Sequence, residues 1–239
     1  MAGYRLHDLT RPMTRDTIVA LAGKLADGDP RYAEITKDPL RSWQTDNGAI
    51  FHVHIQDHFG THVDAPIHTI RDATSIDQVD LGRFFGEAYV VDASAHTLEA
   101  LGPEHFEEIA ADVREGDIVL IHSLDRPGSL DAYIEQQTWV APAGAQWLVD
   151  RGVKCVGCET WGIEHIYDGY FTKDYYNPET PQPTWPTHQI LLGNDVYIIE
   201  GLTGLGALKG RRVMFAALPL PIPGGSGCPV RAVAWEHTP

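Results

Sequence analysis

The sequence has few of the residues that define several classes of protein. Three cysteines occur among 239 residues, and such a small, odd number does not make a disulfide framework. Lysine and arginine total 18 against 33 aspartates and glutamates, which gives a formal net charge of −15. A chain this acidic is a poor partner for the phosphate backbone of a nucleic acid.

Long hydrophobic runs are also missing. No stretch approaches about eighteen uninterrupted apolar residues, and the opening MAGYRLHDLTRPM has no apolar core of signal-peptide length. We therefore expect a cytoplasmic protein without a membrane span. With 43% apolar residues in 239, the chain is long enough for a sizeable core, and we expect residues 1–239 to form a single domain.

The sequence does have a dense group of metal-ligand residues from His58 to His68, which reads HFGTHVDAPIH. No lysine or arginine competes there for the carboxylate. The imidazoles of His58 and His62 and the carboxylate of Asp64 suit Zn²⁺ or a neighbouring divalent ion such as Mn²⁺. His68 is then left for proton transfer. The alternative is a set of solvated loop histidines, but groups packed this closely repel on protonation unless something binds them.

The spacing of these residues favours an extended segment over a helix. His58 and His62 are four residues apart, as in the helical HExxH pattern of metalloproteases. Gly60 and Pro66 disfavour a helix, however, and Phe59 stands where that pattern needs a glutamate. From position 52 to 68 the candidate ligands fall on even positions, which share one face of an extended chain. We predict a strand over residues 49–56 that runs into an extended loop carrying the site.

Elsewhere the chain alternates predicted strands and helices. Apolar runs indicate strands, and Pro103 and Pro142 stand where prolines open helices. The predicted strands cover residues 4–9, 86–91, 117–122, 154–158, 211–218 and 230–235, and the predicted helices cover residues 17–26, 104–113 and 142–150. This pattern, with strands clustered on either side, predicts an α/β fold with a single mixed α/β domain.

Cys155 and Cys158 form a CxxC pair, a pattern that redox and zinc-binding proteins share. The surrounding VKCVGCE is typical of a buried strand, in which residues three apart point to opposite faces. We therefore interpret both cysteines as structural. A redox protein that used them would lose its function on Cys→Ser substitution, which we do not expect.

The motif HxGTHxDxPxH, from His58 to His68, resembles the signature of the cyclase-like metal-dependent hydrolase family, which includes bacterial kynurenine formamidase and isatin hydrolase. The resemblance implies a swivelling β/β/α cyclase-like fold. It also implies that His58, His62 and Asp64 bind one metal ion and that Asp64 reaches a second. His68 is then the catalytic acid and base.

The resemblance extends to His188 and to Glu200, which follows twelve residues later at the end of the apolar run 196–199. In the resembling family a histidine and a glutamate so separated bind the second metal ion. This implies two Zn²⁺ or Mn²⁺ ions per chain, bridged by Asp64, which can share a hydroxide and polarise a carbonyl. If the family resemblance is set aside, the alternative interpretation is that His188 caps a helix and that Glu200 ends a strand at the surface.

The resemblance also bears on the substrate. The segment TWGIE, which starts at Thr160, resembles that of isatin-hydrolase-like members, and Trp43 lacks the adjacent proline that family members often have beside the substrate pocket. Both features favour a lactam or cyclic amide over an aryl formamide. We interpret Trp43, Trp161 and Ser226 as candidate substrate-binding residues. Ser226 is included because its loop resembles the family's C-terminal loop, which approaches the active site.

These features predict a metal-dependent hydrolase that cleaves a non-peptide amide C–N bond by metal-activated hydroxide, with His68 moving the protons. The alternative is a non-catalytic metal- or ligand-binding protein on the same fold, which has no use for a histidine just outside the ligand set. The aromatic-rich segment 159–186 is either an active-site loop or a subunit contact. We expect a homodimer or homotetramer, as in the family, that acts on a small-molecule amide.

Overall fold

The computed structural model describes residues 3–13, 36–123, 137–164 and 185–237. Its strands are β1 (Tyr4–Asp8), β2 (Thr36–Arg41), β3 (Ile50–His54), β4 (His62–Asp64), β5 (Phe85–Asp92), β6 (Ala100–Leu101), β7 (Ile118–His122), β8 (Trp139–Val140), β9 (Cys155–Cys158), β10 (Tyr197–Glu200), β11 (Arg212–Ala216), β12 (Gly227–Pro229) and β13 (Val233–His237). Its α-helices are α1 (Trp43–Asp46), α2 (Pro103–Ile109), α3 (Pro142–Asp150) and α4 (Pro186–Gly193). Turns of 3₁₀ helix occupy Pro66–His68, Ile76–Gln78, Leu81–Phe84 and Leu205–Ala207.

Nine strands form one sheet in the order β1-β13-β11-β5-β7-β9-β10-β4-β12. The central strands β5, β7, β9 and β10 are parallel, and the strands on both sides of them pair antiparallel. Parallel neighbours need a crossover connection, and α2, α3 and α4 lie in the three connections between the parallel strands. β7 and β9 are buried along their whole length, as central parallel strands covered on both faces are.

One face of the sheet is covered by the helices. Phe106 of α2, Leu148 of α3 and Leu191 of α4 pack with Val119 and Ile198 of the sheet in a single apolar cluster. Each helix buries an apolar side against this face, which explains why short helices are stable here when they are marginal alone.

The other face has its own core, which draws on both ends of the strand order. Phe215 of β11 and Ala234 of β13 share this cluster with Val63 of β4 and Cys228 of β12. Residues from opposite ends of a nine-stranded sheet meet only if the sheet curls. The sheet therefore wraps around this second core.

The predicted α/β fold class is confirmed. The strands predicted at 49–56 and 86–91 are found as β3 and β5, and the helix predicted over 142–150 is found as α3 with the same bounds. Helix α2 ends four residues earlier than predicted, at Ile109, because Ala110 leaves helical geometry while its N–H still bonds to Phe106. The helix predicted over residues 17–26 lies outside the described residues.

Two elements near the site are not predicted by the sequence pattern. Helix α4 has only eight residues, too few for a clear 3.6-residue period. Strand β12 has only three residues in a proline- and glycine-rich loop, and it exists because it pairs with β4. Both elements are defined by their tertiary neighbours.

The interpretation of the two neighbouring cysteines is confirmed. Both are free and buried, and Cys155 belongs to the core inside the curled sheet whereas Cys158 belongs to the core under the helices. Burial raises the pKa of both thiols, which keeps them protonated and unreactive.

The hairpin of β2 and β3 stands apart from the main sheet. Every side chain of β3 is exposed, including His52 and His54. Among the described residues, no helix has the length and apolar content that crossing a membrane requires.

Candidate metal centre

Two adjacent strands supply three of the candidate ligands. β4 carries His62 and Asp64, and β10 ends at Glu200; the antiparallel pairing sets His62 opposite Glu200. Because alternate residues of a strand share a face, the three side chains lie together on the face that the helices cover. Their ligand atoms lie within 4.8 Å of one another, and all three residues are buried.

Three histidines reach the same point from other parts of the chain. His188 is the third residue of α4, and its Nε2 lies 3.3 Å from Oε1 of Glu200 and 3.7 Å from Oδ2 of Asp64. His58 precedes β4, and its Nδ1 lies 2.8 Å from Oδ1 of Asp64. His68 ends the 3₁₀ turn after β4, with its ring centroid 3.9 Å from that of His58. The structure thus brings together every residue that the sequence singled out as a ligand or an acid/base.

The distances group these residues into two clusters that differ from the ligand sets predicted for the two metal ions. One compact cluster contains His62, Asp64 and Glu200, and another contains His58, Asp64 and His68. The hypothesis instead places His58 and His62 on one ion. Asp64 belongs to both clusters, as a residue between two ions must. The division of ligands between ions stays a prediction.

The carboxylate of Asp64 fits a cation. It is 1% exposed, and neither oxygen has a hydrogen bond of good geometry among the described residues. A buried carboxylate without compensation costs several kcal/mol. Burial alone raises the pKa of Asp64, but the surrounding imidazoles, His58 first, lower that pKa well below its usual range. Asp64 is therefore an anion enclosed by nitrogen ligands.

The rings of His62 and His188 are held with one nitrogen toward Asp64. Nδ1 of His62 donates to the carbonyl oxygen of Gly60 at 2.9 Å, and Nδ1 of His188 donates to Oε2 of Glu164 at 2.5 Å. Neither acceptor has a proton to give, so in each neutral ring Nε2 presents its lone pair to the site. Metal-binding histidines are oriented in this way, so the residues present fit a divalent metal ion.

Glu164 is a residue that the sequence reasoning missed as a functional group. It is 6% exposed. Its Oε1 accepts the backbone N–H of Thr187 at 2.9 Å, while Oε2 holds the ring of His188. One carboxylate therefore caps the first turn of α4 and orients a candidate ligand on it. The signal in the sequence is the final glutamate of TWGIE, but only the fold brings it to His188.

The carboxylates control the protonation of two rings. For His62, burial lowers the pKa, but Asp64 and Glu200 outweigh it and raise the pKa to about 9. For His188, burial again lowers the pKa, and Glu164 and Glu200 raise it to about 10. Without a metal, both rings therefore carry an extra proton at neutral pH.

His68 behaves in the opposite way. Burial lowers its pKa to about 4; Asp64 acts in the opposite direction, and the neighbouring rings of His58 and His188 act in the same direction as burial. Its ring centroid lies 5.7 Å from that of His188. His68 is therefore a neutral imidazole at neutral pH, able to accept a proton.

The predicted substrate-binding residues differ in what the structure describes. Trp43 begins α1, but its side chain lies outside the described part of the structure. Trp161 is half-buried in a segment tied to the centre, because the N–H of Ile163 donates to Oε1 of Glu200 at 2.7 Å. Ser226 lies 2.9 Å, from Oγ to Nε2, from His58. A role for these three residues in substrate binding stays a prediction.

His122 lies on the other side of the sheet. It ends β7 on the same face as Leu120, which belongs to the core inside the curled sheet. Its ring is fully buried, and Nδ1 lies 2.8 Å from Oε2 of Glu159. His122 is therefore a core histidine with a polar partner.

The cyclase family model, described as "Putative cyclase", matches residues 7–165. The chain belongs to this family. The predicted family of cyclase-like metal-dependent hydrolases is thereby confirmed.

Sequence relatives agree with this assignment. The chain is 31% identical over 176 residues to a kynurenine formamidase of Salinibacter ruber, which covers 74% of each chain. It is 26% identical over 235 residues to a kynurenine formamidase of Bordetella petrii, which covers 97% of this chain and 98% of that protein.

Solved structures share the fold. An isatin hydrolase bound to the product analogue thioisatinate has a TM-score of 0.78 at 21% identity, over 99% of this chain and 94% of that one. Isatin hydrolase A from Ralstonia solanacearum has a TM-score of 0.76 at 23% identity, over 98% and 92%. A protein named as a metal-dependent hydrolase from Bacillus stearothermophilus has a TM-score of 0.71 at 22% identity, over 99% and 100%.

Replacing Glu164 tests its hold on His188. We expect Glu164→Gln to weaken divalent-metal affinity about 10- to 100-fold, because the neutral amide is a poorer acceptor for Nδ1 of His188. Isothermal titration of Zn²⁺ into metal-free protein measures the change. The matched control is Glu107→Gln. Oε1 of Glu107 accepts the ring N–H of Trp147 at a distance of 2.6 Å, and Glu107 belongs to α2, which carries no candidate ligand of this centre. Equal affinities in all three proteins would contradict the assigned role.

The raised pKa values predict that metal binding releases protons. His62 and His188 are protonated below pH of about 9 and about 10 in the metal-free protein, and a metal ion must displace those protons. Affinity should therefore rise with pH between 6 and about 9. Titrations at pH 7.5 in two buffers of different ionisation enthalpy measure the number released; a heat independent of the buffer would show that the rings are already neutral.

Proposed function

We propose that this protein is a metal-dependent hydrolase that opens a non-peptide amide C–N bond, in a formamide or a lactam. The observation that carries the proposal is the convergence of His58, His62, His188 and Glu200 on the buried carboxylate of Asp64. Named relatives of the chain are kynurenine formamidases, and structures with its fold include isatin hydrolases.

The metal would be held by these five side chains. They offer nitrogen and carboxylate donors and no thiolate, which suits Zn²⁺ and Mn²⁺. We propose two ions per chain, because both oxygens of Asp64 face ligand nitrogens: Oδ1 lies 2.8 Å from Nδ1 of His58, and Oδ2 lies 3.7 Å from Nε2 of His188. A divalent ion bound there supplies Lewis-acid activation of water and of the substrate carbonyl.

His68 moves the proton. With a pKa of about 4, its imidazole is neutral and accepts the proton that the attacking water loses. The imidazolium so formed returns the proton to the nitrogen of the broken bond, which becomes an amine: it separates from formate when the substrate is a formamide and stays in the ring-opened product when it is a lactam. His68 is partly buried, and its ring lies beside that of His58.

Two observations bear on the substrate class, and they favour different substrates. The segment TWGIE and the isatin hydrolases of similar fold favour a lactam such as isatin. The kynurenine formamidases among the sequence relatives favour an aryl formamide such as N-formylkynurenine. We place the lactam first, because TWGIE is tied directly to Glu200 and His188 through Ile163 and Glu164.

We also propose that the protein is a homodimer or homotetramer in the cytoplasm. The β2–β3 hairpin forms a sheet of its own and exposes Ile50 by 47% and Val53 by 60%, apolar surface that a second subunit can cover. The three free cysteines fit a reducing compartment. Light scattering and cell fractionation test the two statements.

A combined metal and activity measurement tests the function. We expect purified protein to contain at least one Zn²⁺ or Mn²⁺ per chain by mass spectrometry and to hydrolyse isatin or N-formylkynurenine. A chelator should abolish hydrolysis, and the same ion should restore it. Less than one metal per chain would exclude the two-ion centre, and failure on both amides at full metal content would leave the protein as a non-catalytic metal-binding protein.

His68→Ala separates catalysis from metal binding. We expect hydrolysis to fall about 10²- to 10⁴-fold, because the acid/base is lost, while the metal content stays at the wild-type level. His52→Ala, on the exposed hairpin, should change neither. If His68→Ala instead loses metal, His68 is a ligand of the cluster that it forms with His58 and Asp64.

A further inference from the structure

Asp57 and Ser226 form a hydrogen-bonded chain that ends on His58. The hydroxyl of Ser226 donates to Oδ2 of Asp57 at 2.6 Å, and the backbone N–H of Ser226 reaches the same oxygen at 3.2 Å. On its other side, Oγ of Ser226 lies 2.9 Å from Nε2 of His58. The opposite ring nitrogen, Nδ1, lies 2.8 Å from Oδ1 of Asp64. The chain thus connects a half-buried carboxylate to the metal centre.

The direction of these hydrogen bonds follows from counting protons. A serine hydroxyl has one proton, and an ionised carboxylate such as Asp57 has none to give. The proton of Ser226 therefore lies toward Asp57, and Oγ can only accept from His58. Nε2 of His58 must then carry a hydrogen, which leaves the lone pair of the neutral ring on Nδ1.

That lone pair faces Asp64 across 2.8 Å. A lone pair and an anionic oxygen repel each other at this distance, so the contact is favourable only when Nδ1 binds a proton or a metal ion. His62 and His188 present Nε2 to the centre. The ring of His58 therefore has the opposite orientation to these two rings, with Nδ1 and not Nε2 toward Asp64.

The backbone keeps Ser226 in this position. Its carbonyl oxygen accepts the N–H of Ala65 at 2.9 Å, and the next residue, Gly227, pairs with Asp64 where β12 meets β4. A Cβ at Gly227 would lie 2.8 Å from Cε1 of His58. Glycine at this position therefore lets the imidazole lie against β12.

We propose that Asp57 and Ser226 are positioning residues that orient His58 to bind the metal through Nδ1, while His62 and His188 bind through Nε2. This inference rests on the proposed metal-dependent function. It gives Ser226 a different role from the one that its loop suggests in the sequence, because a hydroxyl whose proton is held by Asp57 cannot also donate to a substrate oxygen.

Zn²⁺ affinity of the metal-free, full-length protein tests the proposal. We expect Ser226→Ala to bind Zn²⁺ about 10- to 100-fold more weakly than the wild type, and Ser226→Thr, which keeps the hydroxyl, to recover much of the loss. Ser94→Ala is the matched control: Ser94 donates its Oγ–H and N–H to Oδ1 of Asp92 at 2.6 and 3.1 Å, with no histidine attached. It should bind Zn²⁺ as the wild type does.

Asp57→Ala gives an independent test that keeps the serine. Without Asp57, the hydroxyl of Ser226 can donate to Nε2 of His58, which moves the ring proton to Nδ1 and blocks the ligand position. We expect Zn²⁺ affinity to fall at least as far as in Ser226→Ala. Thermal unfolding of each metal-free variant identifies any that fails to fold, and the remaining variants then decide.

The outcomes separate this inference from the function on which it rests. If Ser226→Ala and Asp57→Ala bind Zn²⁺ like the wild type and only the KM for the amide rises, Ser226 contacts substrate; the inference is then wrong and the hydrolase proposal stands. If the wild type neither binds Zn²⁺ nor hydrolyses either amide, both proposals are wrong. Weaker Zn²⁺ binding by both variants, with Ser94→Ala unchanged, supports the inference.

Discussion

The ionised carboxylate of Asp64, buried to 1% exposure, is the constraint on which the site depends. Such a charge is stable only if positive or metal-bound groups surround it, and three histidine nitrogens lie within 3.7 Å of its oxygens. The strand register of β4 determines which face of the sheet the side chain of Asp64 points to. β4 lies between β10 and β12, and a slip of one residue would turn Val63 toward the helices and Asp64 into the core. The curled sheet thus holds the centre of the site by main-chain hydrogen bonds on both sides.

The histidines around this carboxylate differ in the group that accepts a hydrogen bond from the ring nitrogen pointing away from Asp64. A backbone carbonyl holds His62, and a carboxylate holds His188. Both rings lie close enough to carboxylates that their pKa values rise despite burial. His68 has burial as its main influence, and its pKa falls to about 4. Histidines of one site therefore have raised pKa values at two positions and a lowered pKa at a third, because the neighbouring groups differ.

The parallel core of the sheet explains where the site lies. Ligands of α/β proteins bind beyond the carboxyl ends of parallel strands, and Glu200 is the last residue of β10. The segment with Trp161 and Glu164 follows the carboxyl end of β9. Proteins named as isatin hydrolases share this fold at TM-scores of 0.78 and 0.76, and a fold does not by itself define a substrate.

The sequence by itself determined the fold class, the main buried strands and the residue types of the centre, since apolar runs and the HxGTHxDxPxH spacing are local properties. Alternation correctly placed His62 and Asp64 on one face, yet the same even-position pattern includes His52, which the structure places on an exposed hairpin. Only the tertiary structure revealed Glu164 as the partner of His188 and turned the ring of His58. The physical reason is that a ring is oriented by its acceptor, and the acceptor of His58 lies 168 residues away in the chain, where no local pattern can specify the contact.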